Sequence, residues 1–147
     1  MPLRDLVTQV KPAAKDGRRV IYELSVPDLM KISPGFVVGR PQSFAITNSD
    51  PLGNHYHLEA EEFFLITSGL AIHLFLENIE TRERFDTTLK EGDLVHVPPK
   101  IAHAFRFTEG QGTMMGVVST PAFDQVDMPT YTIMTPNGHP ASPPPAT

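Results

Sequence analysis

The apolar residues of the chain fall into short runs in which apolar and polar positions alternate. This pattern is typical of β-strands, because successive side chains on a strand point to opposite faces. Turn-forming pairs such as Pro34-Gly35 and Glu91-Gly92 separate the runs. We predict strands within residues 18–25, 35–40, 43–47, 62–67, 70–77, 83–89, 93–98, 103–107 and 113–120. Many short strands at regular spacing predict an antiparallel sandwich or a small barrel.

Two segments depart from the strand pattern. Residues 26–32, VPDLMKI, have the pattern of a short helical turn, with Pro27 at a position that a helix accepts near its start. Residues 135–147 are rich in proline and poor in apolar residues, which predicts an extended or disordered tail. With 147 residues, the chain has the length of one domain, which we place over residues 1–134.

Composition narrows the range of partners. The net charge is −5 and no run of basic residues is longer than Arg18-Arg19, so a nucleic-acid partner is not expected. Cysteine is absent, which excludes disulfides and thiolate chemistry. The first residues have no apolar core of a signal peptide, and no apolar stretch approaches the ~18 residues of a membrane span. We therefore expect a cytoplasmic protein that binds a small molecule.

Four residues carry the candidate chemistry. His55 and His57 in GNHYHLEAEEFFLITSG (53–69) share one face if they lie on a strand. Glu62 joins them only if a turn or bulge before it resets the alternation, and Glu61 is the alternative carboxylate. His103 follows a Pro-Pro turn in a second segment. Three imidazoles and one carboxylate suit Fe, Mn, Ni or Zn rather than Ca or Mg. A lone His-x-His pair on a strand, by contrast, is more often solvent-facing than metal-binding.

The two segments resemble the two sequence motifs of the cupin superfamily. The first motif is matched by His55-x-His57, four residues, Glu62, six residues and Gly69, and the second by Gly92, Pro98 and His103 at the expected spacing. Three positions outside the ligand set depart from the motifs, namely Ser49, Lys100 and Phe107. The resemblance implies an all-β fold, the antiparallel double-stranded β-helix or jelly-roll barrel. It also implies one divalent transition metal ion, of open identity, bound by His55, His57, Glu62 and His103.

The resemblance also yields candidate catalytic residues. Alternation after Gly69 predicts that Ala71, His73 and Phe75 face the barrel interior, which makes His73 the first candidate for a general base. Glu61 and Tyr56 are the next candidates, and a structural core histidine is the alternative reading of His73. The same alternation turns Ile72, Leu74 and Leu76 outward. Because an exposed apolar stripe is unfavourable, we expect a second sheet or a homodimer partner to cover it.

A weaker resemblance concerns the cupins that act on nucleotide-linked keto sugars. It rests on residues 15–24, 53–57 and 117–131. It implies a metal-dependent epimerase or isomerase for a nucleotide-keto-sugar or a sugar phosphate, in which the ion stabilises an enolate. The metal-free epimerases of this group use a His–Asp dyad and a tyrosine, for which Tyr56 and Tyr131 are the candidates. An iron-dependent dioxygenase or oxidoreductase, a lyase or cyclase, and a non-enzymatic metal- or ligand-binding protein remain alternatives.

Overall fold

The computed structural model describes residues 2–119 and 127–142. In that part of the chain a short 3-10 helix spans Leu3–Leu6 and one α-helix, α1, spans Val26–Ile32. The strands, in chain order, are β1 (Val7–Gln9), β2 (Ala14–Lys15), β3 (Val20–Ile21), β4 (Val38–Ile46), β5 (Leu52–His55), β6 (Glu62–Ser68), β7 (Ile72–Asn78), β8 (Arg84–Leu89), β9 (Asp93–Val97), β10 (Ile101–Phe107) and β11 (Gly112–Ser119).

The strands form two antiparallel sheets with a shared core. The larger sheet has the order β1-β9-β6-β11-β4, and the smaller has the order β5-β10-β7-β8. The core between them combines Phe64 and Ile66 of the larger sheet with Leu74 and Phe105 of the smaller. Strands β2 and β3 form a separate hairpin. This arrangement confirms the predicted all-β jelly-roll barrel.

Strand β6 is buried on both faces, because α1 covers the outer side of the larger sheet. Phe63 and Leu65 point away from the barrel and pack with Leu29 of α1. The helix begins after Ser25, whose hydroxyl accepts a hydrogen bond from Asp28 N at 3.2 Å, a common N-terminal cap. The predicted helical segment is therefore confirmed.

Residues 127–134, which we call the strap, cover the outer face of the smaller sheet. Tyr131, Ile133 and Met134 of the strap are buried together with Phe75, Ala102 and Ala104 of that sheet. Beneath the strap, the fully buried Glu77 accepts hydrogen bonds from the Tyr131 hydroxyl and from Arg84. Burial and the adjacent Glu77 carboxylate raise the pKa of Tyr131 to about 12. The strap is thus anchored by apolar contacts and by a buried polar cluster.

Several predicted boundaries change in the structure. The runs 35–40 and 43–47 belong to one strand, β4, and only Val20–Ile21 of the run 18–25 is paired. In the predicted tail, residues 135–142 form a turn in which Thr135 N donates to His139 O at 2.8 Å. Residues 143–147 lie outside the described part, so the prediction for them stays a prediction.

No helix in the described residues is both long and apolar enough to cross a membrane. Exposed apolar side chains lie on and beside α1, among them Met30 and Val37. The predicted homodimer stays a prediction.

Candidate active site

A pocket of about 230 Å³ lies between the two sheets. Most of its lining side chains are apolar, namely Phe44, Leu52, Phe64, Phe105, Met114, Val118 and Met128. Among the described residues, the polar side chains that line it are Gln42, His55, His57, Glu62 and His103. The pocket is therefore apolar except at one cluster of imidazoles and a carboxylate, with Gln42 beside them.

The predicted ligands, which we call the His/Glu cluster (His55, His57, Glu62 and His103), come together in this pocket. One potential ligand atom from each lies within 4.8 Å of those of the other three. Glu62 Oε1 is 2.5 Å from His57 Nε2 and 3.6 Å from His103 Nε2. His57, Glu62 and His103 are buried, and His55 is half-buried.

Both sheets contribute to the cluster. His55 ends β5 and lies directly opposite His103 of β10 in the strand register. Glu62 begins β6 in the facing sheet, and His57 lies in the loop between β5 and β6. Strand alternation therefore does not place His55 and His57 together, since the strand ends at His55. The predicted break before Glu62 is confirmed, because the intervening residues carry the chain from one sheet to the other.

A β-bulge in β5 aims His55 into the pocket. The register of β5 against β10 shifts between His103 and Ala104, so that Asn54 has no partner across the ladder. Gly53 and Asn54 have φ values of 98° and 55°, in the left-handed region. Bulges of this kind redirect a side chain, and here Leu52 and His55, three residues apart, both line the pocket, although regular alternation would place them on opposite faces.

A carboxylate from the strap lies behind His57. Asp127 Oδ2 is 3.4 Å from His57 Nδ1. The same carboxylate accepts hydrogen bonds from the backbone N–H groups of Leu58, Glu59 and Ala60 at 2.9–3.1 Å. Asp127 was not predicted from the sequence. The only signal was the resemblance of residues 117–131 to keto-sugar cupins, and part of that segment, residues 120–126, lies outside the described residues.

Burial and charge set the protonation of the cluster. Burial, and after it the neighbouring His103 and His57, lower the pKa of His55 to about 4. Burial also lowers the pKa of His103. For His57 burial acts in the same direction, but Glu62 and Asp127 outweigh it, so the net pKa is raised. Burial favours the neutral form of Glu62, but the hydrogen bond from His57 and the charges of the imidazoles hold its pKa below the usual value.

The residues present fit a divalent transition metal ion. Metal–ligand bonds of about 2.1 Å place neighbouring donor atoms roughly 3–4 Å apart, which is compatible with the spacing of the His/Glu cluster. His55 and His103 are held neutral and Glu62 is held ionised, and these are the forms that bind metals. His103 Nδ1 lies 3.2 Å from Ile101 O, a contact that orients the opposite ring nitrogen towards the cluster.

Lys100 retains the backbone conformation of the glycine that it replaces in the second motif. Its φ is 66°, in the left-handed region that glycine adopts without strain. Its backbone N–H donates to His57 O at 2.8 Å, and its ammonium lies 3.9 Å from Glu80. The departure from the motif thus leaves the turn intact, and the turn supports the loop that carries His57.

The structure does not place the predicted catalytic side chains in the pocket. The prediction that His73 faces inward is wrong: Ile72, Leu74 and Leu76 enter the core, and His73 lies half-buried on the outer face, opposite Arg106 and Thr88. The reason is that Ala71 adopts a left-handed φ of 53°, so that β7 begins only at Ile72 and its side chains are out of phase with the prediction.

Glu61 and Tyr56 also point away from the pocket. Glu61 contacts His96 Nε2 at 2.5 Å and accepts a hydrogen bond from the Ser33 hydroxyl at 3.0 Å. Tyr56 packs edge-on against Tyr131 of the strap, with ring centroids 5.7 Å apart. Neither side chain is among the described residues that line the pocket.

The fold resembles that of solved sugar-modifying enzymes. No protein-family model matches the chain, and a search of curated proteins found no match. A 3,4-ketoisomerase from Helicobacter canadensis is 18% identical, with a TM-score of 0.66, and the match covers 84% of this chain and 90% of that one. A variant of a 3,4-ketoisomerase from Thermoanaerobacterium thermosaccharolyticum, in complex with TDP-4-keto-6-deoxyglucose, is 14% identical, with a TM-score of 0.66 and coverage of 85% and 87%.

A third similar structure is the dTDP-6-deoxy-D-glucose-3,5-epimerase from Legionella pneumophila Philadelphia 1, in complex with dTDP-4-keto-L-rhamnose. It is 12% identical, has a TM-score of 0.70, and the match covers 88% of this chain and 73% of that one. At these identities the likeness concerns the fold. The chain therefore has the cupin jelly-roll fold of these sugar epimerases and ketoisomerases.

Proposed function

We propose that the chain is a metal-dependent epimerase or isomerase of a nucleotide-linked keto sugar. The observation that carries this proposal is the His/Glu cluster at one side of an otherwise apolar pocket, with the carboxylate of Asp127 behind His57. The fold supports it, since the similar structures are a 3,5-epimerase and 3,4-ketoisomerases. Epimerisation and ketoisomerisation share their first chemical requirement, the removal of a proton next to a ketone.

In this proposal His55, Glu62 and His103 hold the metal ion. When bound there, the ion supplies Lewis-acid polarisation of the substrate ketone and stabilises the charge that develops on its oxygen. The apolar side chains that surround the site, including Phe64 and Phe105, exclude water and so strengthen every charge interaction within the pocket.

His57 is assigned the proton transfer. Among the described residues, the titratable side chains that line the pocket all belong to the His/Glu cluster, so the base is one of its members. His57 differs from the others because Asp127 faces its second ring nitrogen. In the structure His57 Nε2 faces Glu62; in this proposal Glu62 binds the ion in place of that contact, so that His57 Nε2 is free to take the proton. Asp127 then orients the ring and stabilises the imidazolium that forms. Return of this proton from the same nitrogen to the neighbouring carbon, with transfer of the hydroxyl proton to the former ketone oxygen, gives the ketoisomer. Epimerisation requires a second proton donor, such as water, that protonates the same carbon from the opposite face.

Deuterium exchange tests this function. Protein loaded separately with Zn²⁺, Mn²⁺ or Ni²⁺ is incubated in D₂O with TDP-4-keto-6-deoxyglucose, and ¹H NMR follows the signals next to the ketone. We expect loss of one of these signals at a rate that depends on the protein. Absence of exchange with this substrate, with its epimers and with keto-sugar phosphates would rule the proposal out.

The role of His57 is tested separately with His57→Asn. We expect this variant to retain the metal in elemental analysis and to lose exchange. If the metal is lost instead, His57 is a fourth ligand and the assignment of the base is wrong.

The aromatic and apolar lining also favours a second candidate, an iron-dependent dioxygenase acting on a small chelating substrate. Three imidazoles and a carboxylate serve Fe²⁺ as well as the other ions. Oxygen consumption by Fe²⁺-loaded protein, in the absence of deuterium exchange, would favour this candidate over the epimerase or isomerase.

A further inference from the structure

Asn54 connects the strap to the strand that carries His55. Its side-chain oxygen accepts hydrogen bonds from Ile133 N and Met134 N, both at 3.0 Å. Its side-chain amide donates to Met134 O at 3.1 Å, and its backbone oxygen accepts from Tyr131 N at 2.8 Å. One residue thus makes four hydrogen bonds to the strap.

The same residue is the bulged position of β5. Its φ of 55° and the register shift opposite His103 and Ala104 direct His55 into the pocket. The contacts then continue along the chain, since Tyr56 N donates to Pro129 O at 3.3 Å and Leu58 N to Asp127 O at 3.2 Å. The strap therefore runs beside the whole segment that carries His55 and His57, and Asn54 contributes three side-chain hydrogen bonds to this contact.

We propose that Asn54 is a positioning residue for the metal site, which fixes the bulge and so sets the direction of His55 from outside the barrel. The Asn54 side chain is not part of the pocket lining and does not belong to the His/Glu cluster. It acts through the backbone of β5. The inference rests on the proposed function only in taking the His/Glu cluster to be a metal site. It makes metal affinity depend on residues 131–134 of the strap, although these residues cover the opposite face of the smaller sheet.

Asn54→Gly removes the three side-chain hydrogen bonds and leaves a residue that adopts the left-handed conformation without strain. Asn54→Asp keeps the acceptor for Ile133 N and Met134 N but loses the donor to Met134 O. A matched control is Asn78→Gly, because the Asn78 side chain accepts hydrogen bonds from Glu80 N at 2.9 Å and Thr81 N at 3.2 Å in a turn away from β5.

The first measurement needs no metal. In metal-free protein with labelled histidines, we expect NOE contacts between the rings of His55 and His103, whose centroids are 4.6 Å apart. These contacts should persist in Asn78→Gly, weaken in Asn54→Asp and disappear in Asn54→Gly. The second measurement is the Kd for Co²⁺, which should rise about 10- to 100-fold in Asn54→Gly, as is typical when the outer support of a metal ligand is lost.

The outcomes separate this inference from the proposed function. If Asn54→Gly and Asn78→Gly lower the unfolding midpoint equally while both keep the ring contacts and the wild-type Kd, Asn54 is only structural and the inference is wrong. Alternatively, the ring contacts weaken in Asn54→Asp and disappear in Asn54→Gly, while the wild-type protein catalyses no deuterium exchange. In that case the inference holds and the proposed function fails.

Discussion

The low pKa of His55 predicts that the metal-free protein loses stability as the pH falls below neutrality. In the folded protein this pKa is about 4, whereas the ordinary value is 6.5. Between these two values the unfolded chain binds a proton that folded His55 does not. Stability therefore rises with pH across this window, and the contribution of His55 is lost as the pH falls from 6.5 towards 4.

The magnitude follows from the same two values. One pKa unit corresponds to about 1.4 kcal/mol. About 1.5 units of the difference lie between pH 6.5 and pH 5, so the upper limit for the loss between pH 7 and pH 5 is about 2 kcal/mol. His55 is half-buried, and solvent screening reduces this effect to roughly 1 kcal/mol. Such a change is a measurable fraction of the roughly 5–15 kcal/mol by which folded domains are stable.

Other members of the His/Glu cluster act in both directions. Burial lowers the pKa of His103, which adds to the effect of His55. The pKa of His57 is raised overall, so its contribution is present below its unfolded value and is lost as the pH rises through its folded value. The lowered pKa of Glu62 gives a contribution present above its unfolded value and lost as the pH falls through its folded value. A comparison of variants is therefore needed to isolate His55.

The assay is urea unfolding of wild type and His55→Asn at pH 7, 6 and 5 in the presence of EDTA. We expect the free energy of unfolding to fall less steeply in His55→Asn, by roughly 1 kcal/mol over this range. His139→Asn, which removes an exposed histidine, serves as the control and should follow the wild type. If wild type and His55→Asn lose the same stability between pH 7 and pH 5, the argument from burial of His55 is refuted.

Three further predictions concern single residues. Asp127→Asn should lower the deuterium-exchange rate about 10- to 100-fold, because the ring of His57 loses the carboxylate that orients it; an unchanged rate would contradict this role. His73→Ala should change the exchange rate less than about twofold, since surface substitutions away from a site have small effects, and a large loss would restore His73 as the base. Glu77→Ala should destabilise the protein by about 3 kcal/mol, because Arg84 and Tyr131 lose a buried partner; urea unfolding measures it, and a loss below about 1 kcal/mol would contradict it.

The fold class and the four members of the His/Glu cluster were predictable because they depend on spacing. Alternating runs mark strands wherever one face is buried, and the distances from His55 to Glu62 and from Gly92 to His103 are fixed by the turns between them. Asp127 was not predictable, because its position depends on the tertiary fold rather than on local spacing. It approaches His57 only because the strap folds back over the smaller sheet, a long-range contact that no local pattern records.

The direction of individual side chains was predictable only where the strand ladder is uninterrupted. Phe63 and Phe64 follow alternation and face opposite sides, as the pattern requires.

Left-handed residues at Gly53-Asn54 in β5 and at Ala71 before β7 shift the phase of the side chains that follow. A sequence pattern with period two does not include such shifts, and neither asparagine nor alanine marks them as a glycine does.

The two phase shifts have opposite consequences for function. The shift at Ala71 removes His73 from the pocket and fills the barrel with Ile72, Leu74 and Leu76, which makes the interior apolar. The shift at Asn54 brings His55 into that interior opposite His103. A polar cluster within an apolar barrel therefore requires both shifts. Regular alternation in β7 would turn the imidazole of His73 into the barrel, and regular alternation in β5 would turn His55 out of the pocket. This is why the base is sought in the His57–Asp127 pair, which lies beyond the end of β5, rather than on β7.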